Sequence, residues 1–373
     1  MARPAGSVAE AEAREVCAAW LSEAGFSVSE RPFSYSALPG TFGTPVAGLV
    51  LFAAAIVAGT GVWRGGDAVD AAVGGAILTI AALAFVGWWV GRFGTRLIPF
   101  MRRSSVNLEA RRGVPAVWLV AHLDSKSQPV SLLARACGTI IVAGSWAAVL
   151  GVWATARLLP MPAMFLQATL LTLIACAAIA SVPLSLSWVG SRGAGSLDNA
   201  SGVAAILGAA RLLDLATPVG VVVTSGEELG LAGARAWVAG VPRGVAINCD
   251  GVDNQGAVTV TTCAPERKLW HVSGLDGFCN LSVGIRRSLP GVLLDSKAFA
   301  DRGWPACTIS RGTWRSLARV HTAADTLGAL SGAGIEEVSR LIAFLAGAII
   351  AGRASSEYQK GGLGAHGTAK IER

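Results

Sequence analysis

The chain has 373 residues, of which 53% are hydrophobic and only 15% charged, with a formal net charge of +7. An ordinary globular domain has about 45–50% apolar and about 25% charged residues, so a wholly soluble fold is excluded and the apolar surplus must be concentrated in segments. The seven cysteines are odd in number, lack any Cys-x-x-Cys spacing and include two in apolar segments, which argues against a disulfide framework or a cysteine zinc site and for a reducing compartment.

Met1–Phe26 mixes Glu10, Glu12, Arg14 and Glu23 into its apolar residues and reads as folded protein rather than a leader peptide. Ser7 and Glu10 have capping-box spacing, Val8, Glu12, Val16 and Trp20 recur every four residues, and Gly25 offers a left-handed stop, so an amphipathic helix is expected. A strand Phe26–Phe33 follows. Two uncharged stretches come next, Pro45–Trp63 and Ala71–Gly91, then an apolar run Val114–Ala121 read as a strand, then two more uncharged stretches, Ala136–Ala156 and Leu158–Ser191. Each uncharged stretch is near or above the roughly 18–20 residues that cross a bilayer as helix, and core helices of that length are rarely free of charge. Pro160, Pro162 and Pro183 confine the fourth helix to the region Ala163–Leu186. Trp63, Trp88, Trp89 and Trp188 fall near the predicted ends, at headgroup level.

The hairpin loops carry only Arg64 and Arg157. The segment between the hairpins carries Arg92, Arg96, Arg102, Arg103, Arg111, Arg112, Lys126 and Arg135, and the amino-terminal segment carries Arg3, Arg14 and Arg31. Basic residues are depleted on the translocated side, so a multi-pass integral membrane protein with both termini and its folded part in the cytoplasm is expected. These juxtamembrane arginines suit the headgroups of a lipid bilayer. No aromatic-interleaved basic patch marks a nucleic-acid partner, and no residue pattern marks an oligomeric state.

Beyond Gly193 strands and helices alternate: helix Ser201–Leu213, strand Val219–Thr224, helix Ala232–Ala239, strands Val245–Cys249 and Ala257–Thr262, helix Pro265–Cys279, strands Leu281–Ile285 and Ala306–Ser310, and helix Ile335–Ile350. Glu336, Glu337 and Arg340 make the last a core helix rather than a span. The expected fold is α/β, a mixed central sheet flanked by helices and interrupted by four transmembrane helices. In domain terms, 1–39, 99–130 and 192–353 form one soluble domain, 40–98 and 131–191 are the membrane hairpins, and 354–373 is a Gly-rich disordered tail.

His122 and Asp124 follow one predicted strand end, Glu227 and Glu228 another, and Asp250 a third. Strand carboxyl ends of an open α/β sheet converge on one crevice, and imidazole with carboxylate is a zinc donor set. Taken singly, His122-Leu123-Asp124 also reads as a hydrogen-bonded turn, Glu227-Glu228 as the acidic first turn of a helix, and Asp198-Asn199 as a turn or cap. Six ordered strings are more specific. Ala121-His122-Leu123-Asp124-Ser125, Ser196-Leu197-Asp198-Asn199-Ala200-Ser201-Gly202, Thr224-Ser225-Gly226-Glu227-Glu228-Leu229-Gly230, Asn248-Cys249-Asp250-Gly251, Asp295 to Phe299 with Gly303-Trp304-Pro305, and Val320-His321-Thr322-Ala323-Ala324-Asp325-Thr326 together resemble the co-catalytic dizinc aminopeptidases, a family with glutamate carboxypeptidase and glutaminyl cyclase relatives. The resemblance covers most of the soluble part and none of the spans.

The resemblance implies a zinc-exopeptidase fold, peptide substrates and two zinc ions. One ion would be held by His122 and Asp250, the other by Glu228 and His321, with Asp198 bridging. It also implies that Asp124 orients the His122 ring and that Glu227 is the general base. Two departures stand out. Two membrane-spanning lengths separate His122 from Asp198, which places the site close to the bilayer surface, and Val320 occupies a position where several relatives carry an oxyanion-stabilising tyrosine. A catalytically silent scaffold and a single-zinc acyltransferase of the glutaminyl cyclase kind are the alternative functions. His271 reads as a packing residue, His366 as part of the tail, Asp253 and Asp325 as supporting or turn residues, and Asp301 has no assigned role.

Overall fold

The computed structural model describes residues 1–263, 267–270, 281–289 and 291–362. Helix α1 (Val8–Glu23) leads to β1 (Ser27–Ser36), and the hairpin α2 (Leu38–Arg64) and α3 (Asp67–Phe93) separates β1 from β2 (Arg102–Arg112). After β3 (Val117–His122) a second hairpin, α4 (Leu132–Leu158) and α5 (Ala163–Ser185), precedes α6 (Ser201–Leu212) and β4 (Val219–Thr224). Then come α7 (Ala232–Val238), β5 (Val245–Val252), β6 (Ala257–Thr262), β7 (Val283–Arg287), α8 (Asp295–Ala300), β8 (Ala306–Gly312), α9 (Trp314–Arg319) and α10 (Ala333–Gly362).

The eight strands form one mixed sheet in the order β1-β2-β4-β3-β5-β8-β6-β7. Its centre, β4-β3-β5-β8, is parallel, and β1-β2 and β6 run antiparallel to their inner neighbours. Alternation along the central strands splits the core. Val117, Leu119 and Ala121 face α1, α6 and α10, whereas Trp118 and Val120 join Trp237, Phe299 and Trp304 on the other face. In α10 the residues Val338, Leu341, Ile342, Leu345 and Ile349 bury one helical stripe, which makes it the core helix its charges imply.

Helices α2 to α5 are each 23–27 residues long and apolar enough to cross a membrane, and their contacts form a separate apolar cluster. α2 packs on α3 and α5, and α5 on α4. Small residues set these approaches: a Cβ on Gly48 would stand 2.3 Å from Ser185 N, and one on Gly138 would stand 2.8 Å from Ala180 O. At the loop end, Trp153 Nε1 donates to Asp70 Oδ1 at 2.9 Å and Arg157 pairs with the same carboxylate, which joins the two hairpins.

Several expectations need correction. β2 was not anticipated. In α1, Ser7 caps the amide of Glu10, but Glu10 turns its carboxylate to the Gly6 amide, and the stripe that includes Val8, Val16 and Trp20 is exposed while Cys17 and Leu21 are buried. α10 runs through Gly362, into residues read as a tail. The helix Pro265–Cys279 lies largely outside the described residues, which show there only a short turn, Arg267–Trp270; His271, His366 and the tail beyond 362 also lie outside them.

A change to alanine separates packing from propensity in α2. Gly48→Ala drives a methyl into α5 and should lower the thermal midpoint of the detergent-solubilised protein, whereas Gly43→Ala, with nothing within 4 Å, should raise it slightly through helix propensity of about 1 kcal/mol. Equal shifts in a melting experiment would refute the packing assignment.

Candidate metal centre

The carboxyl ends of the parallel strands deliver the predicted side chains to one place. β3 ends on His122, and β4 ends on Thr224, after which Gly226, with φ of 69°, turns the chain into the 3-10 turn Glu227–Leu229. β5 runs past Cys249, where the sequence pattern ends it, and its register breaks between Cys249 and Val252 around Gly251, at φ 74°. This bulge carries Asp250.

Asp198 stands on the turn Ser196–Ala200 that opens α6, and its peptide bond to Asn199 is cis. The turn is fixed from all sides. Asn199 Oδ1 accepts from the Gly202 and Gly251 amides at 3.0 and 3.1 Å, Asn199 Nδ2 donates to Cys249 O at 2.9 Å, and Ser201 Oγ donates to Leu197 O at 2.7 Å. Asp325 accepts from the Leu197 and Asp198 amides at 2.6 and 3.1 Å, so it supports the Asp198 turn.

One carboxylate faces both histidines. Asp198 Oδ1 lies 3.1 Å from His122 Nε2 and Oδ2 lies 2.8 Å from His321 Nε2. Each histidine has one further acid: Asp250 Oδ1 at 3.6 Å from His122 Nε2, and Glu228 Oε1 at 3.1 Å from His321 Nε2. The two triads His122, Asp198, Asp250 and Asp198, Glu228, His321 each offer donor atoms within 4.8 Å of one another.

These residues fit a pair of divalent cations on two counts. The buried His122 Nε2 and Glu228 Oε1 approach their neighbours without the alignment of a hydrogen bond and have no hydrogen-bond partner, as expected of lone pairs aimed at a shared ion. In addition, the two triads together offer three carboxylates and two imidazoles, the mixed oxygen and nitrogen donor set that zinc accepts.

Asp124 acts differently from the expected ring-orienting carboxylate. His122 Nδ1 donates to the main-chain oxygen of Asp124 at 3.0 Å, and the Asp124 carboxylate, 3.6 Å from the ring, accepts from the amides of Glu227 and Glu228 at 3.1 and 3.2 Å. It therefore fixes the Glu227-Glu228 turn, while its carbonyl selects the tautomer that leaves Nε2 bare.

Electrostatics divides the acids. Burial, with Glu228, Asp250 and Asp295 close by, holds Glu227 well above the usual carboxylate range despite His122. Burial is overcome at Glu228, where His321 and Lys126 pull the group down to about 2, and at Asp198, where His321 and His122 hold it well below the ordinary value. Adjacent glutamates thus have opposite proton affinities. Among the described residues the Glu227 carboxylate takes no hydrogen bond.

Four further residues bear on the site. Arg3, counted in the sequence as an orienting charge, is buried: Nε donates to Leu123 O at 2.9 Å, Nη1 to Ala194 O at 2.9 Å and Nη2 to Gly195 O at 3.0 Å, which ties the His122 loop to the Asp198 loop. Lys126 Nζ lies 2.6 Å from Glu228 Oε2. Arg135, in the first turn of α4, donates to His321 Nδ1, an arrangement that has to relax for that histidine to ligate through Nε2. Asp295, wholly buried, accepts from Thr224 Oγ1 and is pushed up to about 7 by burial. Asp295 opens one of the six strings, whereas Arg3, Lys126 and Arg135 reach the site through contacts that no pattern in the sequence marks. Asp253 accepts from Ser316 Oγ at 2.6 Å and pairs with Arg319, while Asp301 pairs with Arg235 and Lys297.

Residues 172–346 match Peptidase family M28, a stretch that holds Asp198, Glu227, Glu228, Asp250 and His321 but begins after His122. No curated protein matches the chain. Among solved structures, the aminopeptidase from Aneurinibacillus sp. strain AM-1 superposes with a TM-score of 0.51 at 13% identity, over 92% of this chain and 89% of that one. The zinc aminopeptidase of Bacillus subtilis gives a TM-score of 0.50 at 12% identity, over 95% and 91%. Against the Legionella pneumophila LapA aminopeptidase the TM-score is 0.43 at 16% identity over 65% of this chain, which spans about half of that protein, 55%. The fold is therefore like that of the M28 zinc aminopeptidases, and its clustered side chains supply donors for two metal ions.

Two variants test the scaffold. Arg3→Ala unties the two loops and should lower bound metal, measured by elemental analysis, with helical content unchanged. Glu10, which accepts from Gly6 N and Ser105 Oγ beneath the site, is pushed up to about 7 from 4.5 by burial and by Asp124. Between those values the native state holds more protons than the unfolded chain, so this group's contribution to stability falls as pH rises through the window. The thermal midpoint of wild type should drop between about pH 5 and about pH 8 by more than that of Glu10→Gln.

Proposed function

We propose that this chain is a membrane-embedded zinc aminopeptidase that hydrolyses the amino-terminal residue of peptides. The observation that carries the reading is the Asp198 carboxylate, one oxygen against each histidine, with a separate acid beside each ring. In this reading His122 and Asp250 would hold one zinc ion, Glu228 and His321 the other, and Asp198 would serve both. Two bound zinc ions supply an acidified shared water and a polarised scissile carbonyl.

The chain's own residues do the rest. Glu227 takes the water's proton and later delivers it to the leaving amine, a role that suits a buried carboxylate of raised proton affinity. Asp124 positions Glu227 and Glu228 through their amides. Val320 contributes no donor to a tetrahedral oxyanion, because its side chain is apolar and its amide is committed to Ser316 O at 3.0 Å. Segments 1–39, 99–130 and 192–353 form the peptidase domain, with 40–98 and 131–191 as membrane hairpins. The orientation places that domain and both termini in the cytoplasm. With the buried Arg3 and Arg112 and the half-buried Arg135 set aside, Arg96, Arg102 and Arg103 still lie on the domain side, against Arg64 and Arg157 on the other.

Purified protein in detergent should contain two zinc ions per chain and release amino-terminal residues from aminoacyl anilides or short peptides. Glu227→Gln should keep its metal and lose about 10²–10⁴-fold in kcat. Asp198→Ala should lose both metal and turnover. One tightly held ion in wild type would favour the acyltransferase, and metal-free wild type without turnover would favour the scaffold.

A further inference from the structure

The site lies one side chain away from the apolar layer. Arg135, whose guanidinium reaches His321 Nδ1, is in the first turn of α4, and no charged residue follows it before Arg157. On the opposite wall, α2 starts at Leu38 within a stretch uncharged from Pro32 to Trp63, and its Gly40 lies so close to Leu229 that a Cβ would stand 2.5 Å from the Leu229 Cα. Leu229 directly follows Glu227 and Glu228. The bases of two membrane helices therefore touch the two acid-bearing and histidine-bearing turns of the site.

The soluble part also presents apolar and cationic side chains at this level. α9 packs on α4 and leaves Trp314 64% and Leu317 44% exposed, with the Arg315 guanidinium over the Trp314 ring. Leu293 approaches Gly91 at the end of α3, beside the exposed Trp88 and Phe93. Tryptophan, leucine and arginine exposed together next to helix ends are the composition of a surface that rests in the headgroup layer.

We infer that the substrates are polypeptides anchored in the bilayer whose free amino terminus emerges within a few residues of the apolar layer. This rests on the aminopeptidase reading above. An anchored amino terminus is held at the depth of the site and meets it at high effective concentration, whereas a free peptide has to enter the headgroup layer from water. An extended chain covers only about 3.3–3.6 Å per residue, so the distance between anchor and cleavable residue reports the height of the site.

The test uses the full chain co-reconstituted in phosphatidylcholine vesicles with synthetic peptides that share one amino-terminal sequence, joined through polar spacers of about 4, about 8 and about 20 residues to an apolar helix of about 20 residues. The same sequence without an anchor is run at equal total concentration. The expected result is release from the shortest spacer within about threefold of the longest, and at least about tenfold faster than from the unanchored peptide. Release from the long spacer but not the short one would overturn the inference and leave the hydrolase reading standing, because the site would then stand off the membrane. Equal rates for anchored and free peptides would overturn the substrate class. No release from any peptide, in vesicles or detergent, would overturn the hydrolase reading itself and the inference with it.

Discussion

The structure is organised around a concentration of buried negative charge. Six carboxylates stand around two imidazoles, and Asp198 and Glu228 are each about nine-tenths buried. Isolated ionised groups do not survive such burial: they protonate, find counter-charges or bind metal. All three responses are visible. Asp295 and Glu227 are pushed toward the protonated state, Glu228 is drawn down by His321 and Lys126, and the unpartnered lone pairs of His122 and Glu228 converge on the space that a cation pair would fill. The opposite proton affinities of two adjacent residues follow from the same field, since Glu228 faces a histidine and a lysine while Glu227 faces mostly other acids.

A cluster of this kind requires rigid turns, and the surrounding polar network supplies them with main-chain donors rather than further charges. Asp124 accepts from two amides of the Glu227-Glu228 turn, Asp325 from two amides before and at Asp198, and Asn199 from two more across to the Asp250 bulge. Arg3 does the converse with donors, offering its guanidinium to carbonyls on both loops. Each of these contacts fixes backbone where the side chain just beyond it must point inward, and this preorganisation accounts for the dense Asp, Asn, Ser and Gly content of the six strings.

Much of this was legible in the sequence because the signal is local. Strands β4 and β6 fall where their apolar runs place them, the four spans announce themselves by length and lack of charge, and the acids and histidines cluster where strand ends converge. What was illegible depends on contacts between distant residues. β2 reads as a polar stretch, but its Glu109 pairs with Arg31 and Arg111 and accepts from Trp237 Nε1, so its charges sit within the sheet instead of breaking it. The stripe on α1 lies on its exposed side, where the Arg211 guanidinium stacks over Trp20. Arg3 and Arg135 count as topological charges by spacing alone, yet both are spent on the site. The family match begins at residue 172, within α5, and so omits His122.

The two apolar hairpins are more than appendages to a finished domain. The second enters between His122 and Asp198, and its feet are sewn to the site: the Gln128 amide donates to His321 O at 2.6 Å, Gln128 Nε2 donates to Ser187 O at 2.7 Å, and Ser127 pairs with Gly190 through two main-chain hydrogen bonds of 2.9 and 2.7 Å. The first emerges from β1 and leans its opening turn on Leu229, while Arg235 of α7 donates to the carbonyls of Gly91 and Arg92 at its close. His321, with φ of 64°, has its carbonyl held by one foot of the second hairpin and its ring by Arg135 of the same hairpin. Leu132 N, at the start of α4, also donates to Val320 O at 3.4 Å, so a displacement of α4 would be felt in the backbone at His321 whether or not the Arg135 contact persists.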